Sequence, residues 1–213
     1  MPGISNQAVL IEFHRLVSDY LNLVSFAEQF REPSGIGFKS IGIRRVELIA
    51  GASLLFIYQA WEDFLENTFT RYMCGACGPS GYMPVLSQPK YQSIADAHRN
   101  LLAGQQYLKW NANSTISKAQ QYFQNGEPYF TAVGSVRQII SDVETVRNRF
   151  AHRSAYVKTQ FKILIRREIG YLPRGMTPGR FLRSINHNIS LSNLSYIQYY
   201  ANSLIAASIA VAP

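Results

Sequence analysis

The stretch RRVELIAGASLLFIYQAWEDFLENTFTRYM, residues 44–73, decides the fold class. Its apolar positions Leu48, Ala52, Leu55, Tyr58, Trp61, Phe64, Leu65, Thr68 and Tyr72 keep helical spacing for about eight turns. Upstream, Val9, Leu10, Phe13, Leu16, Val17, Tyr20, Leu21 and Val24 recur at steps of three and four. That pattern predicts an amphipathic helix over residues 6–30, with Ser5 or Asn6 as N-cap. Residues 31–43 carry Pro33, Gly35, Gly37 and Gly42 and read as a loop between the two helices.

Downstream, residues 74–89 are a Gly- and Pro-rich loop, and a shorter helix over 93–103 opens with Ser93 and Asp96. Residues 107–113 show no clear period. Ser114 or Thr115 caps a helix running to about residue 124, which Asn125-Gly126 stops. After Glu127-Pro128, residues 133–152 read as a further helix with Val136, Ile139, Ile140, Val143, Val146 and Phe150 on its apolar side. A break near Arg153-Ser154 follows. Residues 156–169 alternate like a strand at Val157, Thr159, Phe161, Ile163 and Ile165, yet also fit a helix ended by Gly170. Helix is the better choice because the neighbouring segments are helical, and either reading puts Lys158, Lys162 and Arg166 on a common face. Residues 173–178 read as a turn. Residues 193–211 read as a last helix that turns Tyr196, Tyr199, Tyr200, Leu204 and Ile205 inward. No repeat, low-complexity tract or linker divides the chain, so the expectation is one all-α domain over residues 1–213.

Hydrophobic content of 47% against 16% charged residues is that of a globular chain with a sizeable core. The net charge of +8 is concentrated in one segment. Residues 146–183 hold ten Lys/Arg and a single acid, Glu168, whereas the remaining 175 residues hold eleven bases and twelve acids. An anion-binding face is the economical explanation of so uneven a distribution. The N-terminal residues have no basic segment followed by an apolar core, and the apolar run 204–211 is too short to span a bilayer, which takes about 20 residues. With two cysteines only, the expectation is a cytoplasmic protein with no membrane contact.

Most chemistry-bearing residues have an ordinary reading. Cys74 and Cys77 have metal or redox spacing but lack the second pair that a zinc site needs, so they read as loop cysteines with no metal. The glycines near 35–37 and 75–81 lack a phosphate-loop lysine. Glu62, Asp63 and Glu66 form a carboxylate cluster of the kind usually found on a solvated helix face. His14, His98 and His187 have no partner at catalytic spacing. No helix-turn-helix pattern supports DNA binding.

VRNRFAHR, residues 146–153, is different. On a helix Glu144, Asn148 and His152 lie at steps of four and stack along one face. An amide or carboxylate beneath an imidazole fixes its tautomer and raises its basicity, as acid-base chemistry requires. Arg147 lies five residues before His152, roughly 140° round the helix, so the two converge only if the helix unwinds there or a second chain completes the site. The competing reading is a basic helix end whose His152 and Arg153 neutralise C-terminal carbonyls.

Arg147-Asn148-x-x-x-His152, with Ala151 before the histidine, resembles the signature of the HEPN superfamily, compact α-helical domains that include metal-independent endoribonucleases. The motif's place at the end of an amphipathic helix, the upstream YQAWEDFLENTF and the later PRGMTPGRFLRS extend the likeness from about residue 44 onward. The similar families are the larger stand-alone bacterial ones, among them the L-PSP-associated type. The resemblance implies a HEPN-like bundle, here with an additional N-terminal helix and inserted helices. It implies attack of an RNA 2′-hydroxyl on the adjacent phosphate, with His152 as general base or acid, Arg147 stabilising phosphoryl charge and Asn148 orienting the pair. Arg149, Arg153, Lys158, Lys162 and Arg166 would hold the RNA backbone, Glu144 would support the site, and no cofactor is needed. It further implies a homodimer that unites two motifs, RNA as substrate (tRNA being the family-level candidate), and an antitoxin or regulatory protein as partner in a toxin or antiviral-defence system. Some HEPN domains are instead silent RNA-binding or dimerising modules of larger complexes.

Overall fold

The computed structural model describes residues 5–30, 41–187 and 193–213. Its helices are α1 (Gln7–Gln29), α2 (Ile43–Met73), α3 (Ile94–Leu102), α4 (Ala112–Tyr122), α5 (Tyr129–Ser135), α6 (Arg137–Ala151), α7 (Ala155–Ile169), α8 (Pro178–Arg183) and α9 (Tyr196–Val211). A 3-10 turn, Gln124–Gly126, follows α4. Among the described residues extended backbone pairs only in isolated bridges, so the fold is all-α. No described helix is long and apolar enough to cross a membrane. Most of the loop expected at residues 31–43 lies outside the described residues.

The chain groups into two compact units. The first comprises Met1–Arg15, Ala60–Ile140 and Ser203–Pro213. Its core is aromatic. Phe13, Trp61 and Phe64 lie with ring centroids 5.1–5.9 Å apart, and Phe69 packs on Phe123 and Tyr129 at 4.8 and 5.0 Å. Such ring pairs add about 0.5–1.5 kcal/mol each beyond their buried area. The fully buried Tyr129 hydroxyl donates to Thr68 at 2.9 Å, and Tyr72 donates to the Val211 carbonyl at 3.1 Å. Ser93 caps α3 as expected, accepting from the Asp96 N–H. The cap of α4 is Asn111 rather than Ser114 or Thr115. Its side chain accepts from the Ser114 N–H at 2.8 Å, while Thr115 bonds back to the Asn111 carbonyl. Asn125 and Gly126, at φ 57° and 73°, end that segment as their types suggest.

The second unit comprises Leu16–Gln59 and Ser141–Asn202. Its α2 portion is buried at Val46, Ala50, Gly51, Ser53, Leu54, Ile57 and Tyr58, whereas Leu48 is 59% exposed. The apolar stripe read from spacing is buried from Tyr58 onward, whereas before it the buried positions are Val46, Ala50 and Leu54 and not Leu48. Two glycines explain how neighbours reach this helix. A Cβ on Gly51 would stand 2.2 Å from the Phe150 ring, and a Cβ on Gly179 would stand 2.0 Å from the Glu47 carbonyl oxygen. The end of α6 and the start of α8 therefore rest directly on the α2 backbone. Residues 156–169 are helical, as chosen above, from a Ser154 N-cap to Gly170 in the left-handed region.

One expectation fails, and one helix was not foreseen. The helix read over residues 133–152 is two helices, broken where Val136 leaves helical geometry at φ −110° and ψ 15°. The turn expected over residues 173–178 is present at 174–175, and it leads into a helix over 178–183 that the sequence reading left unassigned. Thr177 accepts from the Arg180 N–H at 3.1 Å, and Pro178 supplies a fixed φ at the first helical position.

Candidate functional site

His152 is the first residue past α6, and its N–H still closes a helical turn on the Asn148 carbonyl at 2.8 Å. The backbone therefore stacks Glu144, Asn148 and His152 as their spacing predicts, but the side chains part company. Glu144 accepts the hydroxyl of fully buried Tyr58 at 2.7 Å. Arg147, one turn further on, lies over the face of the same ring, 5.4 Å from its centroid. A hydroxyl donating to a carboxylate contributes about 1.5–3 kcal/mol, and a cation–π contact about 0.5–2 kcal/mol. Tyr58 thus anchors two motif residues at once. Nothing local in the sequence indicated it, because Tyr58 lies 86 positions before Glu144.

The His152 side chain is exposed, and among the described residues its ring has no hydrogen-bond partner. Its carbonyl accepts from Arg149 Nη1 at 3.2 Å, so Arg149 neutralises the negative end of α6. The structure does not bring Arg147 and His152 together within one chain: one is held over Tyr58, and the other follows the last turn in solvent.

Arg153, Lys158 and Arg166 are exposed and Lys162 is half-buried. The last three occupy steps of four on α7, whose buried side is Phe161, Leu164 and Ile165. Not every cation of the basic segment is available. Arg167 pairs with Asp142 and Glu168, and Arg183 pairs with Glu28. Burial works against the Arg167 charge, but the two carboxylates outweigh it and hold the group firmly protonated.

A cleft of about 490 Å³ adjoins the end of α6. Arg149 and Phe150 form one side, Arg44, Glu47 and Leu48 of α2 another, and the start of α8 closes it. The Thr177 hydroxyl donates to a Glu47 oxygen at 2.7 Å across its edge.

The other candidates have structural explanations. Glu66 accepts from both His98 at 2.9 Å and buried Trp110 at 2.8 Å, so it is an internal anchor and not simply a solvated acid, and His98 does have a partner. Burial and then the Glu66 charge push the Asp63 carboxyl above its ordinary value. His14 lies 2.8 Å from the Ser208 hydroxyl, and burial holds its imidazole below the usual range. Cys74 and Cys77 are not joined in a disulfide, and burial raises the Cys74 thiol, which makes it a weaker nucleophile. Among the described residues no three His, Cys, Asp or Glu side chains lie together as a metal ion would need.

No protein-family model, curated protein or solved structure matches the chain.

Proposed function

We propose that the protein is a metal-independent endoribonuclease of HEPN type, acting as a dimer in which Arg147 of one subunit and His152 of the other face the same phosphate. The observation that carries this reading is the exposed, unpartnered His152 ring directly after a helix whose previous turn presents Arg147 and Asn148, at the head of the basic segment. A single subunit keeps the two groups apart, and a second copy is the simplest way to unite them. The 2′-hydroxyl loses its proton to a base and attacks the adjacent phosphorus. The bond to the 5′ oxygen breaks, and that oxygen takes a proton from an acid, leaving a 2′,3′-cyclic phosphate and a 5′-hydroxyl. His152 serves as the base or the acid, and Arg147 offsets charge on the phosphoryl oxygens. Asn148 orients the pair, and Glu144 holds Tyr58 beneath Arg147. Arg149, Arg153, Lys158, Lys162 and Arg166 contact the RNA backbone, with tRNA the first substrate to try. A cytoplasmic toxin or antiviral effector held in check by an antitoxin or regulatory protein fits such an activity.

A second reading is favoured by the engagement of Arg147 and Glu144 with Tyr58, which also suits a purely packed helix end. It makes the protein a silent RNA-binding or dimerising module. Incubating purified protein with end-labelled RNA, with and without EDTA, separates the two. The proposal expects cleavage in both conditions, loss with His152→Ala, and no cleavage of the matching DNA. The silent module expects salt-dependent RNA binding without products.

A further inference from the structure

Leu48 exposes 59% of its surface, and it does so at the wall of the cleft beside the end of α6. Across from it stands Phe150, half-buried and fixed in place by its contact with Gly51. Together they offer an apolar shelf inside a cleft whose 490 Å³ falls within the range of small-molecule sites. The polar groups are few. Arg44 and Arg149 supply two cations, and Arg149 spends one nitrogen on the His152 carbonyl, which leaves other guanidinium donors unspent. Glu47 supplies a carboxylate, one oxygen of which accepts from Thr177 and which is thereby held in the cleft.

A ligand that satisfies this set needs a flat apolar part, a negative charge and a donor for Glu47. An uncharged apolar ligand would desolvate two guanidinium groups without a partner. Inorganic phosphate alone would leave Leu48 and Phe150 wet. A nucleotide meets all three demands: its base lies against Leu48 and Phe150, and its phosphate is drawn to Arg44 and Arg149. An exocyclic amine of the base donates to Glu47. We propose that this cleft is a nucleotide subsite for the residue flanking the scissile phosphate, selective for bases that carry an exocyclic amine, so that adenine, cytosine and guanine are preferred over uracil. Uracil offers only its N3–H donor, set between two carbonyl oxygens whose lone pairs repel the carboxylate, so it pairs with Glu47 less well than an exocyclic amine does. The inference rests on the ribonuclease reading for its role and on the cleft itself for its chemistry.

The test is calorimetric titration of the full-length protein with AMP, CMP, GMP, UMP, orthophosphate and a short acidic peptide, alongside RNA cleavage by the same preparations. The expected result is binding of AMP, CMP and GMP at least tenfold tighter than UMP or orthophosphate. Leu48→Asp, at an exposed position that folding tolerates, should weaken nucleotide binding at least tenfold, and Arg44→Gln should weaken it for every base. Glu47→Gln, which gains an amide donor and still accepts from Thr177, should narrow or reverse the discrimination against UMP. Orthophosphate or peptide binding as tightly as nucleotides would overturn the proposal, and so would equal affinity for UMP. His152→Ala should abolish cleavage and leave nucleotide binding intact. Nucleotide binding in a protein that cuts no RNA refutes the ribonuclease reading while upholding a nucleotide site. RNA cleavage without mononucleotide binding, and with a base preference that Glu47→Gln does not alter, refutes the subsite while upholding the nuclease.

Discussion

Substituting Gly51 tests how the motif-bearing helix is seated. A methyl group at this position would lie 2.2 Å from Phe150 Cε2 and 2.4 Å from Cδ2, whereas carbon pairs rest at about 3.5–4.0 Å. The ring must therefore retreat by at least about 1.3 Å, or α6 must lift from α2. Overpacking of this kind costs about 1–3 kcal/mol. Replacing a mid-helix glycine by alanine gains up to about 1 kcal/mol in helix propensity, so Gly51→Ala should destabilise by up to about 2 kcal/mol. Gly134, also helical, provides the control: nothing lies within 4 Å of its added Cβ, so Gly134→Ala should be neutral or stabilising. The stability difference between the two variants reports the clash. Urea unfolding followed by far-UV circular dichroism measures it, and Phe150→Leu in the Gly51→Ala background should recover part of the loss. Equal stability of the two alanine variants, or no coupling to Phe150, would refute the close approach of α6 and α2. Phe150 lies two residues before His152, so Gly51→Ala should also lower any RNA cleavage more than its stability loss explains.

Other substitutions probe the anchors of the two units. Tyr58→Phe removes the donor to Glu144 and should cost about 1.5–3 kcal/mol in denaturant unfolding; Glu144→Gln, which still accepts from Tyr58, should cost less. Tyr129→Phe should cost about 1 kcal/mol because it leaves Thr68 without its donor, whereas Tyr200→Phe should be neutral or stabilising, since the buried Tyr200 hydroxyl has no protein partner among the described residues. Burial holds His14 below its ordinary value of 6.5. The unfolded chain therefore takes up a proton as pH falls through that value while the folded ring stays neutral, and stability present above it is lost as pH falls toward the folded value. His14→Gln should flatten the acid limb of the urea midpoint against pH, and an unchanged slope would assign that limb to other groups.

The helices were legible where the apolar period is sustained, as at α1 and α2, or where a cap marks the start, as at Ser93 of α3. The failures have physical causes. The apolar rhythm runs on through Val136, so the break between α5 and α6 leaves no trace in it. Residues 173–183 are rich in Pro and Gly, which concealed α8, although Thr177 followed by Pro178 is a helix-start signature. The start of α2 was misread at Leu48, which is exposed although it looks like a core residue by type alone. At the candidate site, the stacking of Glu144, Asn148 and His152 is a property of one helix and could be read from spacing. The Tyr58 contacts and the cleft formed with Arg44, Glu47 and Leu48 depend on long-range packing, which no local pattern encodes.

The most direct test of the account is the chemistry of the RNA ends. Incubating the protein with a defined RNA in EDTA should yield fragments with 2′,3′-cyclic phosphate and 5′-hydroxyl termini. His152→Ala and Arg147→Ala should each abolish them, and mixing the two inactive variants should restore part of the activity through dimers that carry one intact composite site. Intact RNA with the wild-type protein, or cleavage that survives both substitutions, would contradict the account.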